Sequence, residues 1–147
     1  MSDCRRGEGS GCETFEKEVR KVLALKSIAV VGLSPKEDRP SYRVAKYLLE
    51  HGYDVIPVRP GDGEILGQAT FSSLREVGRP IDIVDVFRKS EDCVEIAREA
   101  VEAGAKVLWL QEDVFSPEAG QIAEEAGLWV VMDTCIKKMH TKYVGTN

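Results

Sequence analysis

A short turn with hydrogen-bonding groups follows the first apolar run of the chain. Residues 27–33 form an almost wholly apolar run, and its last two residues, Gly32 and Leu33, form a turn with Ser34. A segment with helical spacing comes next. At such a junction the backbone amides of the turn and the start of the helix converge on one point, which suits an anion. The sequence therefore predicts that Gly32, Leu33 and Ser34 hold a phosphate-bearing ligand. Cationic side chains that could neutralise a pyrophosphate follow at Lys36, Arg39 and Arg43.

The second apolar run is followed by a positively charged side chain instead of a glycine turn. Residues 54–58 finish at Val58 and are followed by Arg59 and Pro60. Rossmann proteins that bind NAD usually present an acidic side chain here, and an arginine replaces it when the ribose carries a phosphate. The three-glycine fingerprint of dinucleotide binding is also missing after the first run. Both features favour NADP or coenzyme A over NAD.

Cys135 and His140 are the pair that a search for a catalytic nucleophile would test. If this stretch is helical, an offset of five positions puts the two side chains on imperfectly matched faces. The four cysteines include no Cys-x-x-Cys pair, whereas zinc sites usually need closely spaced ligands. We therefore assign no catalytic residue and no metal ligand from the sequence, and the role of Cys135 stays open.

Apolar runs alternate with amphipathic segments along the chain. The runs predict five strands, at residues 27–33, 54–58, 81–87, 106–110 and 128–132. Helical spacing of apolar side chains predicts helices at residues 14–25, 42–51, 91–103 and 117–126. Gly52, Gly104 and Gly127 each end a helix just before the next strand begins. This repetition is typical of right-handed parallel crossovers.

The predicted fold class is α/β, a single-domain, Rossmann-like, doubly wound parallel sheet of five strands. Residues 107–110 are apolar throughout, as expected when helices cover both faces of a sheet. Residues 1–12 are predicted to be a flexible leader, and residues 13–147 the domain. Ligands of such sheets bind beyond the carboxyl ends of the strands, near the point where the strand order reverses.

Two polar positions beside the strands have structural interpretations. Asp85 lies inside an apolar run, so its carboxyl group must be hydrogen-bonded or lie towards a strand end. Ser116 precedes Pro117 and is expected to cap the helix that begins there.

Composition excludes several classes of function. The 147 residues are 43% hydrophobic and 31% charged, which is enough for one core. The net charge of -5, with both signs interspersed, provides no basic face for nucleic acid. No apolar run is long enough to cross a bilayer, and residues 1–11 lack the apolar core of a signal peptide. We expect a cytoplasmic protein that binds a small-molecule nucleotide, without a nucleic-acid or membrane partner.

Several ordered motifs together amount to a resemblance. They are the Val30-Val31-Gly32-Leu33-Ser34 run, the segments at residues 39–48 and 52–58, the Ile81-Asp82-Ile83-Val84-Asp85-Val86-Phe87-Arg88 run, and the segment at residues 105–111. In this order they resemble the small stand-alone coenzyme A-binding proteins, the YccU-like family, over about residues 15–140. The resemblance also implies kinship with the coenzyme A-binding domain of the succinyl-coenzyme A synthetase alpha subunit.

The resemblance implies a site for coenzyme A or an acyl-coenzyme A across the strand ends. The pyrophosphate would lie near Gly32-Leu33-Ser34, with charge supplied by Lys36, Arg39 and Arg43, and the adenosine end near Val58-Arg59-Pro60. The rest of the cofactor would be lined by Phe87, Arg88, Ser90, Gln111 and Glu112. This chain departs from the family at Arg59, where asparagine is common, and at Asp133-Thr134-Cys135, where an arginine usually precedes the cysteine.

Three functions stay open at this point. The first is a coenzyme A-binding module without catalytic machinery of its own. The second is an NADP-binding oxidoreductase, although no Tyr-x-x-x-Lys pair is present and Lys138 and Tyr143 run in the opposite order. The third is a regulatory protein whose nucleotide site depends on a partner. A homodimer or a partner enzyme subunit is compatible with each of them.

Overall fold

Near-continuous apolar runs in the sequence become the strands of one parallel sheet. The computed structural model describes residues 9–61 and 63–144. Within these residues the strands are β1 (Ser27–Val31), β2 (Asp54–Val58), β3 (Glu64–Ile65), β4 (Gln68–Ala69), β5 (Ile83–Val86), β6 (Val107–Leu110) and β7 (Trp129–Val131). The helices are α1 (Gly9–Leu23), α2 (Pro40–Glu50), α3 (Cys93–Glu102), α4 (Pro117–Glu125) and α5 (Ile136–Tyr143).

The order of the strands reverses in the middle of the sheet. Five strands are parallel, in the order β2-β1-β5-β6-β7, and β3 and β4 form a separate antiparallel hairpin. The chain runs from β1 outward to β2 and then returns past β1 to continue on its other side with β5. This confirms the predicted doubly wound α/β sheet. In such sheets the ligand crevice lies at the carboxyl ends of the strands that flank the reversal, here β1 and β5.

Helices cover both faces of the sheet and so create two cores. Successive residues of a strand point to opposite faces, and every residue of β1, β5 and β6 is buried. One core contains Val86 and Leu110 together with Ala97 of α3. The other contains Trp109 together with Ile136 of α5, and residues of α1 and α2. Among the described helices, none combines the length and the apolar character that crossing a bilayer requires.

The predicted elements are present with shifted ends, and two further elements were not predicted. The hairpin β3–β4 lies in the region interpreted as a glycine-rich turn, because strands of two residues are too short to show periodicity. Helix α5 follows the fifth predicted strand. Helix α1 begins at Gly9, before the predicted start at residue 14, so residues 9–12 of the predicted leader are helical. The rest of the leader, residues 1–8, lies outside the described residues.

The two interpreted polar positions have different outcomes. Ser116 caps α4, since its hydroxyl accepts a hydrogen bond from the Ala119 amide at 3.2 Å. Asp85 is the last residue but one of β5 and is fully buried. Within the described residues neither of its carboxyl oxygens has a hydrogen-bond partner, so the alternative of a hydrogen-bonded carboxylate is wrong. Burial raises the pKa of Asp85 well above its usual value, which favours the neutral acid.

Candidate ligand-binding site

Gly32 allows the ends of β1 and β5 to approach each other closely. Its amide donates to the Val58 carbonyl at 2.8 Å, and its φ of +89° lies in the region that favours glycine. A Cβ atom at Gly32 would lie 2.8 Å from the Phe87 carbonyl oxygen and 2.9 Å from Arg88 Cδ. Since real side chains do not tolerate such contacts, this position requires glycine for both its backbone conformation and its surroundings.

The turn after Gly32 is fixed to the first turn of α2. The Ser34 amide donates to the Ser41 hydroxyl at 3.0 Å, and the Lys36 amide donates to the Ser34 hydroxyl at 3.1 Å. Ser41 is buried, although it lies in the first turn of a helix. The turn and the start of the helix therefore form one rigid unit at the carboxyl end of β1.

The amino terminus of α2 retains free donors. The backbone at Arg39 is extended, Pro40 takes the first helical position, and, as far as the structure describes the chain, no side chain caps the helix. The Arg43 amide makes the first intrahelical bond, to the Arg39 carbonyl at 3.2 Å. The preceding amides have no acceptor within the helix, and the helix dipole adds partial positive charge at this end. An anion at this point would find donors already oriented towards it.

A cleft of about 530 Å³ opens beside this helix start. It spans the carboxyl ends of β1, β5 and β6 and the loop that follows β7, so it coincides with the reversal of strand order. Its lining combines the glycine turn, two arginines, apolar side chains, two carboxylates and a thiol. The lining residues are Gly32, Ser34, Arg39, Pro40, Ser41, Val44, Phe87, Arg88, Gln111, Glu112, Asp113, Val114 and Cys135.

The wall of the cleft opposite α2 is held by hydrogen bonds to α5. The Ile136 amide donates to Gln111 Oε1 at 3.1 Å, which uses one free amide at the start of α5. Lys138 Nζ donates to Glu112 Oε2 at 2.7 Å, and this hydrogen bond raises the pKa of Lys138. The Asp113 amide, at a residue with φ of +69°, donates to an Asp133 carboxylate oxygen at 2.8 Å. The loops after β6 and β7 are thus joined at the edge of the cleft.

A second cleft, of about 310 Å³, lies at the carboxyl end of β2. Its lining includes Val58, Arg59, Pro60 and Arg88, together with four carboxylate side chains of the segment that leads into α3 and of α3 itself. Arg88 lines both clefts and is paired with Asp92 at 3.1 Å. A long ligand could therefore run from one cleft into the other past the Arg88 side chain.

Comparison with known proteins identifies the family. The model of a family described as the CoA binding domain matches residues 26–141 of the chain. The chain belongs to the CoA-binding domain family. It is 46% identical over 124 residues to the YneT protein of Bacillus subtilis, a match that covers 84% of this chain and 92% of YneT. A solved hypothetical protein from Pyrococcus horikoshii OT3 is 40% identical, with a TM-score of 0.86 over 88% of this chain and 92% of that chain.

A more distant relative of this CoA-binding domain is part of an enzyme. The chain is 28% identical over 106 residues to the alpha subunit of an ADP-forming acetate–CoA ligase from Pyrococcus furiosus. The match covers 68% of this chain and 22% of the ligase subunit. The predicted family and its kinship with a ligase CoA-binding domain are thereby confirmed.

The structure divides the predicted site residues of this CoA-binding domain into three groups. The main cleft brings together Gly32, Ser34, Arg39, Phe87, Arg88, Gln111 and Glu112. The second cleft contains Val58, Arg59 and Pro60. Neither cleft is lined by Leu33, Lys36, Arg43 or Ser90.

The residues of the third group have other positions or partners. The Leu33 side chain is buried in the core beside α2, so only its backbone can contact a ligand. The Arg43 guanidinium donates to the Asp38 carbonyl at 2.6 Å, and Lys36 is exposed. The Ser90 hydroxyl accepts from the Phe115 amide at 2.9 Å. Residue type and order along the chain could not show on which side of a loop these groups lie.

Several lining residues were not among the predicted site residues. Ser41, Val44 and Cys135 enter the cleft because of the way α2 and α5 lie against the sheet, and Asp113 and Val114 because of the turn after β6. A sequence signal existed for Ser41, since it directly follows the proline that starts α2. No comparable signal existed for the orientation of Cys135 without knowledge of α5.

Proposed function

We propose that this CoA-binding domain binds coenzyme A or an acyl-coenzyme A in the main cleft. The pyrophosphate contacts the Gly32-Leu33-Ser34 turn and the start of α2, and the adenosine end extends past Arg88 towards Arg59. The pantetheine arm follows the wall formed by Gln111 and Val114. The chain carries out no chemistry on the ligand in this proposal.

The uncapped amino terminus of α2 beside Gly32 carries the proposal. Free amides and the helix dipole favour an anion at this point, and the Arg39 and Arg88 guanidinium groups add positive charge to the lining of the same cleft. The φ of +89° at Gly32 and the lack of space for a Cβ beside Phe87 fix the turn that leads to these amides. These features coincide with the reversal of strand order, where doubly wound sheets bind their ligands.

The adenosine end is the part of the proposal that most needs a test. Arg59 and Arg88 supply positive charge for a ribose phosphate. The same cleft is lined by four carboxylates, Glu91, Asp92, Glu95 and Glu99, and Arg88 is paired with one of them, Asp92. The carboxylates oppose a phosphate and would accept hydrogen bonds from free ribose hydroxyls. Comparing the binding of coenzyme A with that of its dephospho form therefore tests whether this cleft binds a ribose phosphate or free ribose hydroxyls.

Calorimetric titration of the full chain with coenzyme A, 3′-dephospho-coenzyme A, NADP and NAD tests the function. We expect coenzyme A to bind and the dephospho form to bind more weakly. Tighter binding of NADP would favour the oxidoreductase alternative. If none of the ligands binds, a nucleotide site that depends on a partner takes the place of this proposal.

Arginine variants test the position of the ligand. We expect Arg39→Ala to weaken coenzyme A binding about 10-fold, since a charge-assisted hydrogen bond contributes about 1.5 kcal/mol. Arg59→Ala should weaken binding of coenzyme A more than that of the dephospho form. Arg79→Ala removes the same charge at the opposite end of the sheet, where Arg79 pairs with Asp54, and is the matched control. Unchanged affinity in both cleft variants would contradict the placement.

A further inference from the structure

Cys135 lines the cleft proposed for coenzyme A and also belongs to the core beside α5. Cys135 is the cap residue of α5, is 8% exposed and lines the same cleft as Gly32 and Arg39. It is a free cysteine and has no role in the phosphate contacts proposed above. The lining therefore contains a nucleophilic atom that the proposed function does not use.

Gln111, beside this thiol, has unused hydrogen-bonding capacity. The side chain is only 4% exposed and lines the cleft. Its Oε1 is fixed by the Ile136 amide, the residue next to Cys135. Among the described residues no acceptor is seen for its Nε2, and this atom does not belong to the fully buried unpaired atoms. A ligand carbonyl at this wall would complete the hydrogen bonding of Gln111, and the amide groups of a pantetheine arm are of this type.

The sheet beneath Cys135 contains another polar group without a partner. Asp85 and Trp109 occupy paired positions of neighbouring strands, so their side chains share the face that α2 and α5 cover. The Trp109 indole donates to the Thr134 carbonyl at 2.8 Å and so fixes the residue before Cys135. One strand away, both carboxyl oxygens of Asp85 lack a partner among the described residues. Buried polar groups without a partner are rare in native proteins, so Asp85 calls for an explanation, although it does not line the cleft itself.

Cys135 lies at the start of a helix, close to a cationic side chain. It is the N-cap residue of α5, its own side chain makes no capping hydrogen bond, and the Ile136 amide that follows donates to Gln111 Oε1. The Lys138 ammonium lies near enough for Cys135 to contribute to the raised pKa of Lys138, after the larger contribution of Glu112. The thiolate is the form of cysteine that attacks disulfides.

Cys93 provides a contrast within the same chain. It is fully buried in the core on the opposite face of the sheet. Burial, with a smaller contribution from Asp92, raises the pKa of Cys93 to about 11. Its thiol is therefore protonated and inaccessible at neutral pH, which makes it a suitable internal control.

We propose that Cys135 is a covalent docking point for the thiol end of coenzyme A. The Cys135 thiolate, having lost its proton to solvent, attacks one sulfur of coenzyme A disulfide. A mixed disulfide forms between Cys135 and one coenzyme A, the original sulfur–sulfur bond breaks, and the second coenzyme A leaves as a thiolate that takes up a proton. The oxidant is the coenzyme A disulfide itself. This inference rests on the proposed function, because it needs the nucleotide to be held in the cleft.

The test is mass spectrometry of the full chain after exposure to coenzyme A disulfide or, in parallel, oxidised glutathione. Bound nucleotide raises the local concentration of the disulfide, so we expect the Cys135 peptide to react at least about 10-fold faster with coenzyme A disulfide. Peptides that carry the other three cysteines are quantified in the same digests. Excess acetyl-coenzyme A, which has no free thiol to reverse the adduct, should compete, and Arg39→Ala should reduce the preference.

The Cys135→Ser and Cys93→Ser variants complete the test. We expect Cys135→Ser to lose the adduct and Cys93→Ser to keep it. Cys93 lies outside the cleft, so Cys93→Ser should also bind reduced coenzyme A in calorimetry as the natural chain does. If reduced coenzyme A binds but Cys135 shows no preference for coenzyme A disulfide, the covalent role is wrong and the proposed function stands. If reduced coenzyme A does not bind and no preference is seen, both are wrong.

Discussion

The two ends of the parallel sheet treat their polar groups differently. At the amino end, before β5, the Asp82 carboxylate accepts the Lys26 and Ser27 amides at 3.0 and 3.1 Å and pairs with Lys106 at 3.5 Å. Arg75 forms ion pairs with three glutamates of α3, Glu95, Glu99 and Glu102, and the first two of these also line the second cleft. Each of these groups finds its partner inside the protein.

The carboxyl end leaves comparable groups without partners. The amides that start α2, the Nε2 of Gln111 and both oxygens of Asp85 have no partner that the described residues supply. Asp82 and Asp85 are three positions apart, so the difference is one of position in the sheet and not of composition. This difference indicates that polar groups lack internal hydrogen bonds at the carboxyl end, which is where proteins of this fold bind their ligands.

Substitution of Gly32 should have the largest effect on stability and on coenzyme A binding. A matched substitution at the amino end should affect stability less and leave binding unchanged. Gly32→Ala combines an unfavourable φ with a Cβ 2.8 Å from a backbone oxygen, so we expect a loss of about 3 kcal/mol and of coenzyme A binding. Gly52→Ala is the matched control at the amino end, with a φ of +90° and no atom within 4 Å of the new Cβ. It should cost about 1 kcal/mol and leave binding unchanged. Urea denaturation and calorimetry measure both, and equal losses in the two variants would contradict the close approach.

The two aspartates should give stability profiles of opposite sign. Burial raises the pKa of Asp82, but the Lys26 and Ser27 amides and the Lys106 ammonium outweigh it and hold the pKa below its usual value of 3.8. The ionised Asp82 therefore stabilises the fold above about pH 4, and this contribution is lost as pH falls through the folded pKa. Burial raises the pKa of Asp85, so its neutral form is favoured in the fold, and stability is lost as pH rises above 3.8.

Asparagine variants and urea denaturation between about pH 3 and pH 8 test this contrast. At pH 7, Asp82→Asn should lower the free energy of unfolding by about 1 kcal/mol, since hydrogen bonds to a charged group are lost. At the same pH, Asp85→Asn should raise it, by about 1 to 3 kcal/mol. Both differences should shrink towards acid pH. A destabilised Asp85→Asn protein at pH 7 would mean that Asp85 has a partner in solution.

The sequence predicts the sheet better than the site for a physical reason. Burial on both faces makes a strand such as β6 apolar throughout, and the glycine after each helix marks where a strand begins, so these elements are visible locally. The segment of α5 contains only two buried residues, Ile136 and His140, and its apolar pattern is too sparse to predict a helix.

Strand ends indicate the part of the molecule that contains the main cleft, but not the side chains that line it. Gly32, Phe87 and Gln111 were predictable because each follows a strand at the carboxyl end. The side of a loop on which Lys36 lies, and the entry of Cys135 through α5, depend on packing between distant segments. These features could be determined only from the assembled structure.

The helices α2 and α4 both begin at the carboxyl end of the sheet but differ in how their first amides are capped. Both α2 and α4 begin with proline, but α4 is capped by the Ser116 hydroxyl and α2 is not capped by a side chain in the described chain. Ser116→Ala should cost about 1 kcal/mol of stability without affecting coenzyme A binding. Arg39→Ser would place a preferred capping residue at the start of α2, so it should raise the free energy of unfolding by up to about 1 kcal/mol and weaken coenzyme A binding. Denaturation and calorimetry test both, and a capped α2 that binds as tightly as the natural helix would show that its amides are not used.

The smallest expected effect concerns the cluster that joins α5 to α2. The Tyr47 hydroxyl lies 2.8 Å from His140 Nδ1, and the His51 and Tyr53 rings also face His140. Burial, followed by the interaction with His51, lowers the pKa of His140 below its usual 6.5. The unfolded chain then binds more protons, so stability is complete above pH 6.5 and declines as pH falls below it.

We expect this decline to be about 0.5 kcal/mol between pH 7 and pH 5 and to be absent in His140→Gln. Denaturation at these two pH values measures it, with His51→Gln as a second variant that should reduce the decline in part. Because α5 begins at the cleft with Cys135 and is held to α2 by this cluster, reactivity of Cys135 should not change in His140→Gln unless the whole helix has moved. A large change in that reactivity would mean that the two ends of the sheet are coupled through α5. The view that the two ends act independently, which rests on their different polar groups, would then be wrong.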